Sequence, residues 1–569
     1  MPPRFKYVPA HPCNLILYSY PTDPNLRLPL RIRSRGTRLV IFTPPEPLVR
    51  RLRIGIIDLV TKGPTRALYA RVMHANLAGI MAQVVGVWCE EEGHDVEFLC
   101  YTGFEDLLKE LPTNLDIVFV AAFSQTAQLA YAISNLFRQR GAVTALGGPH
   151  ARCYPEDAER YFDYVLGFTD RDTICEVLRD HAPHRPVGLV LSATKQPDTL
   201  PGVRERWRFI EATLKKAPVI KIVPMISSLG CPYTCSFCID STVDYAALGW
   251  EQITEDLRFL LTKFKRPRVG WHDPNFGVRF DNCMDAIEAA VPPGRIDHVA
   301  ESSLSLLSES HVQRLKRNGF KAILPGIESW FDMGNKSKTG RQRGVEKVRH
   351  VAEHVNMIMR HIPYLQANFV LGLDSDDGDE PFELTKQFLD LAPGAFPAYS
   401  LLSAFGQAAP LNLEYQRADR VLPFPFHFLN NNHAMNVRPK NYEWRTFYDN
   451  LVDLSRYSFS WRAIARRYSA IRDTIPRWMN VVRAVSSEGF GRIQYHSLIR
   501  RLLDTDRAVR RFFEGETHTI PAFYRDRVRQ DLGPLWKLLP PGALEHDHTA
   551  YLRNQGGMVQ LTAAAATVD

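Results

Sequence analysis

Between Arg53 and Phe405 the sequence alternates short, β-branched apolar runs with longer stretches of helical spacing. That alternation restricts the chain to parallel α/β architecture. The first block holds "RIGIIDLV" (53–60), "DVEFLCY" (95–101), "LDIVFVAAF" (115–123), "AVTALGG" (142–148) and "FDYVLG" (162–167). Helical stretches are expected at 66–93, 104–111, 125–140, 155–160 and 171–181. Five strands alternating with helices predict a doubly wound parallel sheet, with ligands bound at the strand C-terminal ends. Two of those ends are distinctive: Ser124-Gln125-Thr126 after the third run, and "GGPHA" with Gly147 and Gly148 after the fourth. Paired glycines admit a ligand to the backbone, and hydroxyls at a helix start can bond a phosphate or amide.

A second α/β block follows a Pro-rich, charged stretch at 183–218, which reads as a connector. Its runs are "VIKIVPMISSLG" (219–230), "RVGWHDPNF" (268–276), "HVAESSLS" (298–305), "KAILPGIES" (321–329), "LQANFVLGLD" (365–374) and "AYSLLSAF" (398–405), with helical stretches between them. Polar residues at the ends of these runs (Asp273, Glu301, Ser302, Glu328, Ser329) and Asn368 within the fifth are placed where a strand core does not require them. Residues 411–569 carry no further strand pattern and read as an aromatic-rich helical cap, ending in a frayed "LTAAAATVD". Residues 1–52, rich in Pro and Arg, read as an extension.

The loop "SSLGCPYTCSFCIDS" (227–241) places Cys231, Cys235 and Cys238 within eight residues, although the chain has only nine cysteines. An odd cluster fits disulfide pairing poorly, and no fourth Cys or His follows at a spacing suited to zinc. Three thiolates on one short loop suit a cubane iron–sulfur cluster with one iron left open to a small molecule. A chance group of buried thiols is the alternative, but such cysteines seldom crowd a Gly/Pro loop.

The C-x3-C-x2-C spacing with Phe237 before the last Cys resembles the signature of the radical S-adenosylmethionine enzymes. Residues 53–182, with "MHANLAGIMAQVVGVWCEEEGHDVEFL" and "GGPHA", resemble the cobalamin-binding domain fused to a large subclass of them, and "FHFLNNNHAMNVRPKNY" (426–442) resembles that subclass's post-barrel segment. The resemblance implies a Rossmann-like (flavodoxin-like) cobalamin-binding domain over 53–182. It further implies a partial (β/α)6 TIM-type barrel over 219–410 and a C-terminal helical domain over 411–569. It also implies a [4Fe-4S] cluster on the three cysteines, with S-adenosylmethionine near Phe237, Asp273, Glu301, Ser302, Glu328, Ser329 and Asn368. Cobalamin is implied near Ser124, Thr126, Gly147 and Gly148. Two departures stand out. Where many cobalamin modules carry Asp-x-His-x-x-Gly, this chain has "DLVTKGPTR" (58–66), so cobalt is expected to lack a protein imidazole, and His74 reads as an ordinary helix histidine. Where many relatives carry Pro-Phe-Pro-Gly-Thr-Pro after the sixth strand, this chain has "AFGQAAPLN" (404–412).

The implied reaction is methylation of an unactivated carbon of a small-molecule or lipid-like metabolite, via a 5′-deoxyadenosyl radical and methylcobalamin. The same cofactors also serve cyclisation, ring contraction or oxidation without methyl transfer, and a cluster- or corrinoid-based sensor is a third reading. An electron donor such as flavodoxin or ferredoxin is the implied partner. The net charge of +8 is spread along the chain, its one dense stretch being "RLPLRIRSRGTR" (27–38), so no nucleic-acid partner is expected. No run approaches the roughly eighteen apolar residues of a membrane span, and free thiols beside an oxygen-labile cluster point to the cytoplasm.

Overall fold

The computed structural model describes residues 50–550. Cys13, the basic run 27–38, most of the expected extension and the "LTAAAATVD" tail lie outside the described residues.

Two six-stranded parallel sheets organise the chain. The first contains β1 (Arg53–Leu59), β2 (Asp95–Tyr101), β3 (Ile117–Ala121), β4 (Val143–Gly147), β5 (Tyr164–Leu166) and β6 (Leu189–Leu191), in spatial order β2-β1-β3-β4-β5-β6. This is the doubly wound, flavodoxin-like order. β6 comes from the stretch expected to be only a connector, so the sheet has six strands where the pattern shows five. Helix Trp207–Lys216, also from that stretch, inserts Phe209 against Phe98, with ring centroids 5.1 Å apart.

The alternation of β1 explains the packing. Ile54 and Ile56 face one core with Val84, Trp88 and Phe209. Ile57 and Leu59 face another core that runs on through Tyr131 to Val223, Trp271 and Phe369 of the second sheet. The two sheets are therefore held by shared apolar packing as well as by chain connection.

The second sheet contains β7 (Val223–Met225), β10 (Arg268–Trp271), β11 (Asp297–Ser303), β12 (Phe320–Glu328), β13 (Tyr364–Leu371) and β14 (Phe396–Leu401), in unbroken sequence order from β7 to β14. Between β7 and β10, a short antiparallel pair of β8 (Ser228–Leu229) and β9 (Ala246–Ala247) brackets the cysteine loop. Alternate residues on β11 to β14 divide by face. Ala300, Ile323, Ala367 and Tyr399 are buried, whereas Val299, Leu324, Gln366, Asn368, Ala398 and Ser400 are half-buried and Glu301 is exposed. The second set lines a hollow interior, as a partial (β/α)6 barrel requires.

The expected helix 66–93 is interrupted. It forms Leu68–Met73, a tight turn His74–Leu77 and Ile80–Glu91. At the break, Asp58 Oδ2 accepts a 2.6 Å hydrogen bond from Gly79 N, which takes that amide out of the helical ladder. The expected helices 443–470 and 495–513 also split, at Ser460 and Asp506, whose side chains cap the helices that follow.

Candidate active site

The cysteine loop leaves β7 and is held from several directions. Gly230 has φ +67, and a Cβ there would sit 2.2 Å from Asp244 O, so the chain can turn there only as glycine. Cys231 N donates to Val243 O, and Cys238 N to Cys235 O. Asp273, at the end of β10, is buried and accepts from Ser227 N (3.1 Å) and Ser228 Oγ (2.7 Å). Its carboxylate therefore braces the strand leading into the loop. Arg152 reaches across from the first sheet to Asp240 (3.2 Å) and Ile239 O (2.9 Å). Leu411 N, beyond the barrel, donates to Ser236 O. Phe237 is half-buried against the shared core.

The three thiols are free and half-buried. Burial pushes Cys235 up and Cys238 up to about 11, while the Lys336 ammonium pulls both down. Among the described residues no three Cys, His, Asp or Glu converge as a single-ion site. A cubane needs no such convergence, because each thiolate binds a different iron. The loop fits that group and fits mononuclear zinc poorly.

Beside the loop lies a cleft of about 620 Å³ lined by Tyr233, Cys235, Lys336, Arg341 and Arg343. Glu328 ends β12 at a register shift, in left-handed backbone with φ +67. For a non-glycine residue that conformation costs on the order of 1 kcal/mol, and such outliers cluster at functional sites. Its partner is Lys336, with Nζ 2.5 Å from Oε1. Burial opposes the Lys336 charge, but Glu328 more than offsets it and holds the ammonium above the usual lysine range. Glu301 is reached by solvent yet ringed by protein, and burial raises its carboxyl despite the Lys336 charge.

Other residues read from the sequence have their hydrogen bonds within the scaffold. Ser302 Oγ donates to Phe276 O, and Ser329 Oγ accepts from Phe331 N and Asp332 N. Asn368 Nδ2 donates to Leu324 O and its Oδ1 accepts from Gln366. Asn368 also lines a second cavity of about 360 Å³, with Gln366, Ser400, Asn432, Arg483 and Arg492.

At the mouth of the first sheet, Gly147 has nothing within 4 Å of where a Cβ would stand, and Phe123 beside it is exposed. Gly148 differs: at φ +90, its Cβ would press 2.9 Å from Ala122 O. Ser124 and Thr126 are buried, under the Phe426–Phe428 turn. Ser124 Oγ lies 3.4 Å from His150 Nδ1, and Thr126 Oγ donates to Phe123 O. The open cradle is thus formed by Gly147 and Phe123, and the two hydroxyls lie behind it. His74 Nδ1 bonds Thr102 O, as an ordinary packed histidine. Lys336, Arg152 and Phe123 escaped the sequence reading. Arg152, only four residues after Gly148, was the one with a local signal.

By fold, the chain is similar to cobalamin-dependent radical S-adenosylmethionine enzymes of known structure. No family model matches it. Two curated relatives come from Chlorobaculum tepidum. Bacteriochlorophyllide d C-12(1)-methyltransferase is 23% identical over 361 residues, covering 62% of this chain and 77% of the relative. Bacteriochlorophyllide d C-8(2)-methyltransferase is 23% identical over 308 residues, covering 51% and 66%. Among solved structures, the radical S-adenosylmethionine methyltransferase TsrM from Kitasatospora setae, with cobalamin and a [4Fe-4S] cluster bound, superposes with a TM-score of 0.51. It is 14% identical and covers 79% of this chain and 99% of TsrM. The apo form of the cobalamin-dependent radical enzyme OxsB gives a TM-score of 0.51 at 11% identity, covering 92% of this chain and 82% of OxsB.

Proposed function

We propose that the protein is a methyltransferase that uses a [4Fe-4S] cluster, S-adenosylmethionine and cobalamin to methylate an unactivated carbon of a small-molecule or lipid-like metabolite. The observation that carries this reading is the bracing of the cysteine loop by Arg152, which stands just beyond the open Gly147 cradle. One residue ties the two cofactor loops together, as a reaction drawing on both requires. Both curated relatives are named as methyltransferases acting on bacteriochlorophyllide d, so a tetrapyrrole carboxylic acid is the first substrate to try.

In this reading Cys231, Cys235 and Cys238 hold the cluster, and Gly147, Gly148 and Phe123 receive the corrin face. The cofactors supply the one-electron cleavage of S-adenosylmethionine and the transferable methyl group; the protein supplies placement and shelter from water. Glu301 offers a carboxylate to a cationic amine or a ribose hydroxyl. Lys336, held by the buried Glu328, presents its ammonium at the cleft beside Cys235, where it can meet the carboxylate of an amino acid. Asp273, Ser302 and Ser329 hold the strand ends that carry these groups. A small acidic electron carrier such as flavodoxin or ferredoxin is the expected reductant.

The test is anaerobic turnover with methyl-labelled S-adenosylmethionine and candidate substrates. Near-equal S-adenosylhomocysteine and 5′-deoxyadenosine, with label in the product, support methyl transfer. 5′-Deoxyadenosine without S-adenosylhomocysteine makes the enzyme a cyclase or oxidase instead.

A further inference from the structure

Helix Thr474–Val485 packs Met479 and Val481 against the core, yet its largest apolar side chains face outward. Ile475 and Trp478, 69% and 53% exposed, form one outward stripe with the exposed Val482 and Val485. Their spacing of three and four residues places all four on one helix face. The residues it buries fully are Asn480 and Ala484. A helix packed on a soluble protein shows the reverse arrangement.

The stripe continues onto neighbouring elements. Tyr468 stands edge-on to Trp478, their ring centroids 5.4 Å apart. Trp461, 67% exposed, stands edge-on to Phe490 at 5.4 Å. Helix Leu68–Met73, which exposes Leu68 (79%), lies near the end of this helix, since Tyr69 hydrogen-bonds Glu488, three residues beyond Val485. Contiguous exposed apolar surface of this kind marks an interaction site.

The charge around the stripe is mostly positive, with Glu488 already paired to Arg483 and Asp390 to Arg466. Arg66, Arg71, Arg462 and Arg472 are exposed and Arg477 is half-buried, while Asp473 is the one acidic residue across 66–77 and 461–487. We propose that this face docks on an anionic membrane surface, with the Trp, Ile and Val side chains entering the interface and the arginines meeting lipid phosphates. Exposed tryptophans with a cationic rim are the composition of interfacial helices, and cations near an anionic leaflet add electrostatic attraction. No single helix among the described residues is long and apolar enough to cross a membrane. Arg483 and Glu488, on this helix and the turn after it, line the 360 Å³ cavity that reaches Gln366 and Asn368 in the barrel. A membrane-held substrate would therefore meet the barrel interior at the docked face. The docking does not depend on the reaction proposed above.

The experiment is co-sedimentation of the full chain with phosphatidylcholine vesicles, with and without one-quarter phosphatidylglycerol. Binding is expected with the anionic vesicles, weakened by salt, and reduced at least tenfold in I475S/W478S/V482S. These side chains are solvent-exposed, so circular dichroism and Tm should match the wild type. Wild-type tryptophan fluorescence should also be quenched by brominated phosphatidylglycerol vesicles. Failure of the wild type to sediment or to be quenched overturns the proposal, as does equal binding by the triple variant. A wild-type dimer that the triple variant breaks, without vesicle binding, assigns the face to a second copy of the chain. Neither readout uses substrate, so an inactive preparation leaves the result intact.

Discussion

Lys336 Nζ lies 2.5 Å from Glu328 Oε1, and Glu328 adopts the left-handed backbone that ends β12. The cation serves two carboxylates: it pairs with Glu328, and its charge pulls the Glu301 carboxyl down against the effect of burial. Lys336→Met should destabilise the protein by about 2 kcal/mol, because the largely buried Glu328 loses its partner. Anaerobic urea denaturation measures this. The double variant K336M/E328Q should recover most of the loss, since no carboxylate is then left uncompensated at that position.

Cys231→Ala, Cys235→Ala and Cys238→Ala should each abolish loading of about four irons per chain, with loss of 5′-deoxyadenosine formation. Cys89, Cys100, Cys153 and Cys283 are buried thiols, which burial pushes above the usual range. Their alanine variants should retain full iron content by colorimetric assay.

Adjacent glycines should fail in different ways. Gly148→Ala places a Cβ against Ala122 O in left-handed backbone, and should cost on the order of 2 kcal/mol of stability. Gly147→Val projects into open space, so the melting temperature should hold within a few degrees. Corrinoid uptake, read from the visible absorption of the reconstituted protein, should be blocked in Gly147→Val.

His74→Ala should leave the paramagnetic-resonance spectrum of the cobalamin-loaded protein unchanged, because His74 Nδ1 bonds the Thr102 carbonyl. A nitrogen hyperfine pattern that disappears in the variant would assign the cobalt ligand to His74.

Asp376 gives a pH signature. Its Oδ2 accepts from Gly372 N and Leu373 N, yet burial pushes the carboxyl up to about 7. The folded chain thus keeps a proton that the unfolded chain releases near its ordinary value of 3.8. The resulting stability is complete below about pH 4 and is lost as pH rises toward 7. Asp376→Asn preserves an acceptor and removes the titration. Its stability advantage should widen from about pH 4 to 7 and then level off at a few kcal/mol. Denaturation midpoints across that range measure it.

Much of this architecture was legible because burial imposes periodicity. Eleven of the twelve main sheet strands lie in or overlap the runs read from the sequence, most clearly the apolar, β-branched β1 and β3. β6 escaped because it is three residues long, bears exposed Leu189 and Val190, and follows a Pro-rich stretch. The thiol spacing was legible because one short loop carries all three cysteines. Glu328 was legible as a polar strand end, but its backbone strain is set by the β12–β13 register shift. The partners of Asp273, Ser302 and Thr126 follow no period, since tertiary placement decides whether a polar strand end faces a ligand or braces a neighbouring loop.

The cysteine loop is fastened by Arg152, 88 residues before Asp240, and by Leu411, which lies after the last barrel strand. That bracing is complete only once the segment reaching Leu411 has been made. Under the function proposed above, iron delivery is then expected to be a late maturation step, taken on a polypeptide whose two sheets have already met. A protein truncated before Leu411 would offer the assembly machinery three thiols on an untethered loop, and should accumulate as apoprotein.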